Sequence, residues 1–512
     1  MNYIIGIDIG TGSTKAVAVS TKGEVLCTSQ VSYPTLNPKP GYSEQAPELI
    51  WQAFIKCIVR VVNQLHHQPK GIALSSAMHS VIGVDENGQA LMNMITWADN
   101  RSALIAEKIK ASSSGEMLYE QTGTPIHPMS PLCKIIWLRE NEPGLFQQIH
   151  KFISIKEYIW FKLFSVFEID HSIASATGLF DIERLVWNEN ALQQCEISAD
   201  KLSQPVSTSH MRSEVLESIH KQLGIDRNIS FIIGGSDGCM ANVGSFAIEP
   251  GIAALTIGTS GAIRVANATS TIDIEAMPFN YRLDENTFVT GGPINNGGIA
   301  LKWYVEGLLK KKLQSSEDYD AILNETKTIA PGSNGLIFLP YLLGERAPLW
   351  NSEACGVFFG IDSSHTQMHF TRAVMEGILF ALYNVCKTME ESGLLISEIH
   401  VSGGFVHSEI WLQLLADIFG KKIVLIRAED ASAQGAAFLA MKKLKLIDNY
   451  NVLMPASVTA YHPNNDHHIL YSEKIFPVFR NLSKNMMLDM AVLHDMKTNL
   501  QNAYTNINSF NI

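Results

Sequence analysis

Cysteine is sparse and unpatterned in this 512-residue chain: Cys27, Cys57, Cys133, Cys195, Cys239, Cys355 and Cys386 are scattered, and none forms a C-x-x-C pair. That spacing excludes a disulfide framework and a Cys-based zinc site and fits a reducing cytoplasm. Charge is scarce as well, at 17% of residues, against roughly 25% in an ordinary globular chain. With 46% hydrophobic residues, extended disorder is excluded. There is no cationic excess: 39 Lys and Arg against 50 Asp and Glu give a net charge of −11. Neither non-specific nucleic-acid binding nor a polybasic membrane anchor is expected of such a chain. No apolar run reaches about 18 residues, and MNYIIGIDIG lacks the n-region and h-region of an export signal. The most aromatic segment, 158–167, contains Lys162 and reads as a core helix.

Two motifs are also missing. There is no G-x-x-x-x-G-K-[ST] and no G-x-G-x-x-G opening a helix after a strand. A P-loop and a dinucleotide fold lose their support. What is present is a pattern that occurs twice. Residues 3–8 are apolar and β-branched, Gly10-Thr11-Gly12 turns the chain, and residues 14–20 alternate again, which predicts a hairpin. About 250 residues later a strand over 252–257, a turn at Gly258-Thr259-Ser260-Gly261 and a strand over 262–266 repeat it, so that IDIGTGST and LTIGTSGA share an I-G-T core. Pro250 and Gly251 break the chain between the copies. The expected organisation is two α/β domains, 1–247 and 248–450, facing one another across a cleft. An extension over 451–512 follows, with a helical stretch near 475–493 and a polar tail.

Turns of glycine and small hydroxyl residues present several backbone N–H groups in one direction and admit a phosphate without a Cβ clash. Asp8 stands just before the first turn, either as a turn-capping Asx residue or as a carboxylate holding Mg²⁺ through water beside a polyphosphate. In the second half, Gly291 to Gly298, Ser402-Gly403-Gly404-Phe405 and Ser432-Ala433-Gln434-Gly435-Ala436 read as glycine-rich breaks, each followed by a helix, and together they favour a nucleotide-binding half. In the first half, Gly234-Gly235-Ser236-Asp237-Gly238 follows an apolar strand. Asp237 is there either an ordinary N-cap or the proton acceptor for a hydroxyl attacking a phosphate. SSAMHS (75–80) and ITWADNR (95–101) gather polar groups suited to a hydroxylated substrate. Trp97 can stack on a carbon chain, and Asp99, Asn100 and Arg101 can meet hydroxyls or a carboxylate. His79 as a core histidine and Arg101 as a surface salt bridge are the structural alternatives.

At these residues the chain resembles the FGGY carbohydrate kinases, of the actin, Hsp70 and sugar-kinase superfamily. Two long stretches carry the resemblance, Met129 to Asn141 (MSPLCKIIWLREN) and Gly356 to Ile361 with His369 to Glu376 (GVFFGI and HFTRAVME). The strings SSAMHS, ITWADNRS, GTPIHPM, IKEYI, ASATG and GERAPLW look most like the gluconokinase branch. The resemblance implies two ribonuclease-H-like domains around a central cleft, with ATP mainly on the second and a sugar acid mainly on the first. It makes Asp237 the catalytic base and places Asp8 near Mg²⁺. Thr11, Gly12, Ser13, Thr14, Lys15, Gly258 and Thr259 become the phosphate turns, with Gly298, Lys302, Gly404 and Ser408 at the nucleotide. Met78, His79, Trp97, Asp99, Arg101 and Met129 join Asp237 around the sugar, with Arg101, aided by His79 or His127, at its carboxylate. Gly12 stands where many relatives have a hydroxyl residue, so a side-chain role at that position is lost. The implied activity is transfer of the γ-phosphoryl group of Mg·ATP to the primary hydroxyl of D-gluconate. Xylulose or another polyol is the alternative acceptor, an ATP-driven binding protein like Hsp70 or actin is the rival class, and a homodimer is compatible with the family.

Overall fold

The computed structural model describes residues 2–312, 316–428 and 430–497. The first sheet has six strands in the order Met211–Arg212, Ser230–Ser236, Gly71–Ser76, Tyr3–Ile9, Ser13–Ser20, Val25–Ser32. Tyr3–Ile9 and Gly71–Ser76 are apolar runs buried along almost their whole length, as strands covered on both faces must be. The hairpin expected at the N-terminus is there: Tyr3–Ile9 pairs antiparallel with Ser13–Ser20, and Asp8 lies opposite Lys15. On its other side Tyr3–Ile9 runs parallel to Gly71–Ser76, which places Asp8 beside Ser75. Helix Pro47–Leu65 starts with Pro in its first turn, ends at His66 in the left-handed region, and buries Phe54, Ile58 and Val61 in the core of this sheet.

The second copy of the pattern is also a strand, turn and strand, Ile252–Ile257 and Gly261–Asn267. It belongs to a seven-stranded sheet ordered Phe279–Arg282, Phe288–Ile294, Gly261–Asn267, Ile252–Ile257, Glu398–Ser402, Lys422–Leu425, Thr459–Tyr461. The chain forms two compact units, each built from several stretches. Among the described residues, one comprises 2–254, 264–290 and 427–457, the other 255–263, 291–426 and 458–497. In the second unit the helical stretch expected near 475–493 begins as helix Phe476–Asn485, and its Phe476 and Phe479 pack with tilted rings against Phe380 of the buried helix Gln367–Glu391. The polar tail from 498 onward lies outside the described residues.

One expected break is not a break. Ser432 to Ala436 lies inside helix Ala431–Lys443, capped by the Asp430 carboxylate accepting the Ala433 N–H at 2.9 Å. Its glycine serves close packing instead. A Cβ on Gly435 would lie 1.9 Å from the Met240 carbonyl oxygen, one on Gly244 1.9 Å from that of Ala431, and one on Gly6 1.8 Å from that of Ala433. Helix Ala431–Lys443 therefore rides directly on strand Tyr3–Ile9 and on helix Asp237–Gly244 of the same unit.

The aromatic segment forms helix Ile155–Phe164, opened by a reciprocal capping box between Ser154 and Glu157. Among the described residues, no helix is long and apolar enough to cross a membrane. Burial raises the Glu157 carboxyl from 4.5 to about 7. A raised folded pKa gives stability that is complete below 4.5 and lost as pH rises through 7, and a shift of this size is worth roughly 3 kcal/mol. Glu157→Gln keeps an oxygen for the cap. The variant is expected to gain stability relative to wild type as pH goes from 5 to 8, read as the difference in denaturant midpoints; a pH-independent difference would refute this.

Candidate active site

In the first unit, three carboxylates from distant parts of the sequence act on one another. Asp8 ends the first strand, Asp237 opens helix Asp237–Gly244 after the Ser236 N-cap, and Asp430 caps helix Ala431–Lys443. Burial foremost, then the charges of Asp430 and Asp237, push the Asp8 carboxyl well up, opposed by the Ser75 hydroxyl donating to it at 3.0 Å and by Lys15. Asp237 is likewise raised, mainly by burial and also by Asp430, while Arg264, the Gly238 N–H and Lys156 pull it down. Lys15 forms an ion pair with Asp430 at 2.8 Å. Negative charge held this way favours a cation or a proton.

The fit to a divalent ion is indirect: no three His, Cys, Asp or Glu side chains among the described residues form a metal-ligand cluster. A recessed Asp8 with like-charged neighbours would suit a divalent ion held through water.

The first turn is braced from within. The Gly10 N–H donates to the Ser13 carbonyl at 3.0 Å, the Ser13 hydroxyl accepts from Gln30, and the buried Thr14 hydroxyl meets Tyr33. Thr11 Oγ1 accepts the Trp97 indole N–H at 2.9 Å, which ties the turn to the ITWADNR string. Gly12 is exposed, and a Cβ there would meet nothing within 4 Å. The turn thus offers backbone, while most of its side chains hold its shape.

His79 has a left-handed backbone, φ 64°, uncommon and strained outside glycine. Its ring is pinned on both sides: Nδ1 donates to the Ala176 carbonyl at 2.7 Å, which leaves Nε2 to accept from the Tyr281 hydroxyl at 3.1 Å. Beneath it the buried Lys134 ammonium donates to the carbonyls of His79 and Met129, at 2.5 and 2.7 Å, and so joins two of the strings read as substrate-side. Arg101 is engaged. Nε and Nη2 donate to both oxygens of Asp99, Nη2 also to Glu44 at 2.6 Å, and the guanidinium lies 3.9 Å over the Tyr42 ring. The side chain read from the sequence as a carboxylate anchor is already bound by two carboxylates.

The second unit holds a separate cavity of ≈ 530 Å³. Gly258, Thr259, Gly298, Lys302, Gly404 and Ser408 all line it, with Tyr319, Leu323, Phe405 and Trp411 supplying apolar and aromatic wall. The turn is locked to the start of helix Gly298–Lys302: the Gly298 N–H donates to the Gly258 carbonyl at 2.7 Å and the Ile299 N–H to that of Thr259 at 3.1 Å. A Cβ on Gly298 would come 2.8 Å from the Gly258 oxygen. Volume, aromatic wall and a glycine turn at one end suit a nucleotide-sized ligand.

Models of the FGGY family of carbohydrate kinases match both halves, the N-terminal domain over residues 3–244 and the C-terminal domain over 253–444. The chain belongs to this family. Among curated relatives of this FGGY kinase, a gluconokinase of Bacillus subtilis is 41% identical over 94% of this chain and 96% of its own, and one of Bacillus licheniformis is 40% identical over the same shares. A xylulose kinase of Staphylococcus xylosus is 30% identical over 94% and 97%. Among solved structures, a gluconate kinase of Lactobacillus acidophilus aligns with TM-score 0.90 and a ligand-bound xylulose kinase of the same species with 0.91, each at 34% identity over 95% of this chain and 98% of the other. The α/β class and the two sheet-bearing domains expected from the sequence are those of this family.

Sequence reasoning missed four residues of this kinase: Asp430, Arg264, Lys134 and Lys156. Lys156 is buried, pairs with Asp170 at 2.6 Å and donates to the Gly235 carbonyl two residues before Asp237. For Asp430 a signal existed, since an Asp before a small-residue helical run is an N-cap pattern. Its nearness to Asp8 had none.

Proposed function

We propose that this kinase transfers the γ-phosphoryl group of ATP to the primary hydroxyl of D-gluconate. The observation that carries the acceptor is the full-length likeness to gluconokinases at 40% and 41%, against 30% and 31% for the xylulose kinases. Asp237 orients the acceptor hydroxyl and takes its proton. Met78, His79, Trp97 and Met129 contact the sugar, and the Asp99–Arg101 pair fixes the loop carrying Trp97. Backbone N–H groups of the 11–15 turn and of Thr259 hold the phosphates, with Lys15 beside the first turn and Gly258 leaving room for them without a Cβ. Asp8 is the residue to hold Mg²⁺ through water; when bound, the ion neutralises charge on the phosphates. As domains, 1–247 is read as the acceptor and base half and 248–450 as the ATP half, followed by the 451–512 extension.

ADP release in a coupled assay, with gluconate, xylulose, ribulose, glycerol and no acceptor, tests this. Turnover restricted to gluconate is the expected result. Preference for xylulose would keep the phosphoryl machinery and replace the acceptor, a reading favoured by the xylulose kinase structure matching as well as the gluconate kinase structure. ATP hydrolysis indifferent to every acceptor would overturn the kinase.

ATP is assigned to the 530 Å³ cavity, with Gly298, Lys302, Gly404 and Ser408 around it. A Cβ on Gly404 meets nothing within 4 Å, so Gly404→Val is sterically allowed and its branches enter free volume. The KM for ATP should rise at least about tenfold, because the added branches take space that the ligand needs, with an unchanged melting temperature. An unchanged KM would remove ATP from this cavity.

A further inference from the structure

We propose that Arg264 binds the carboxylate of the acceptor and thereby selects sugar acids over neutral sugars; this rests on the gluconate reading. Arg264 lies on strand Gly261–Asn267. Its Nε is 3.0 Å from the point where a Cβ on Gly238 would sit, and the Met78 methyl is 3.4 Å from the same point, so three substrate-side elements converge there. Its charge is felt by Asp237, and by Tyr281, whose hydroxyl holds His79. Arg264 Nη1 is buried and has no hydrogen-bond partner among the described residues.

The other recessed arginines are satisfied by protein. Arg101 has Asp99 and Glu44, Arg372 has Glu376 and Tyr471, and Arg282 has carbonyl oxygens of Ile182 and Glu285. Desolvation holds the Arg264 pKa below its ordinary value in spite of Asp237. A buried guanidinium nitrogen left without an acceptor is costly, and the planar fork matches a carboxylate. Its neighbours are Met78, Gly238, Asp237 and Tyr281, whose hydroxyl holds His79. A carboxylate of the acceptor is the ligand these substrate-side neighbours suit.

Titration calorimetry of wild type, Arg264→Gln and Arg264→Lys with gluconate and with its neutral amide tests this, with melting temperatures as the check on folding. In wild type gluconate should bind more tightly than the amide, and in Arg264→Gln that preference should fall about 100-fold, as for loss of one buried partner of a charge. Arg264→Lys should recover part of it. Equal losses for both ligands, or a retained preference, would overturn Arg264 as the anchor; an equal loss accompanied by weaker ATP-dependent turnover would assign it to the phosphoryl group. If wild type itself binds the amide as well as gluconate, the acceptor reading fails first, which separates the two failures.

Discussion

Asp237→Asn is expected to lower kcat by about 10²- to 10⁴-fold, the usual contribution of a positioned proton acceptor. The substitution is close to a pure test of charge and basicity. Asp237 Oδ1 accepts the Gly238 N–H at 2.7 Å, an amide oxygen can do the same, and Ser236 still caps the helix. Ligand affinities and melting temperature should therefore hold while turnover collapses; near-normal kcat would remove Asp237 as the base. The pH profile carries the sign. The base works ionised, and burial with Asp430 raises its pKa above 3.8, so wild-type kcat/KM should fall on the acid side earlier than an ordinary aspartate would dictate. Because Asp8 and Asp430 face the same space and Arg264 and Lys156 oppose them, that limb reports the group rather than one carboxylate. Asp430→Asn removes a charge that raises both Asp8 and Asp237 and keeps an oxygen for the helix cap, so the limb should move to lower pH.

The features legible in the sequence were those written in neighbouring residues. Alternating or continuous apolar runs ending in glycine turns located strands 3–9, 13–20, 252–257 and 261–267 to within a residue or two, because backbone preference and burial agree there. The six residues read as nucleotide-side come together for a related reason: the turns around them follow the ends of strands Ile252–Ile257, Phe288–Ile294 and Glu398–Ser402 of one sheet, and all six line one cavity. Arg264, Asp430 and Lys134 were not legible as site residues. Their meaning lies in partners far along the chain, Asp430 with Asp8 and Lys15, Arg264 with Gly238 and Met78, Lys134 with the carbonyl of His79, and no local pattern encodes such pairings. Arg101 shows the converse. Its type and setting suit a carboxylate ligand, and Glu44, 57 positions away and not legible as its neighbour, already engages it.

Gly435, read from the sequence as part of a glycine-rich break, gives the other large effect. Helix propensity alone predicts that Gly435→Ala stabilises the protein by about 1 kcal/mol, since the position is in the interior of helix Ala431–Lys443. Packing predicts the opposite. The new Cβ would lie 1.9 Å from the Met240 carbonyl oxygen and 2.8 Å from the Gly244 nitrogen, backbone atoms that no rotamer change can clear. Relief requires moving helix Ala431–Lys443 away from helix Asp237–Gly244, which opens a buried seam, and a loss above about 4 kcal/mol follows. The same displacement reaches the chemistry, because Ser432 Oγ donates to the Asp237 carbonyl at 3.0 Å and Asp430 caps the moving helix. Gly435→Ala should therefore show a fall in denaturant midpoint and, in whatever fraction folds, a fall in kcat. A midpoint raised by the alanine would mean that propensity outweighs the helix seam and that the close approach of these two helices does not position Asp237.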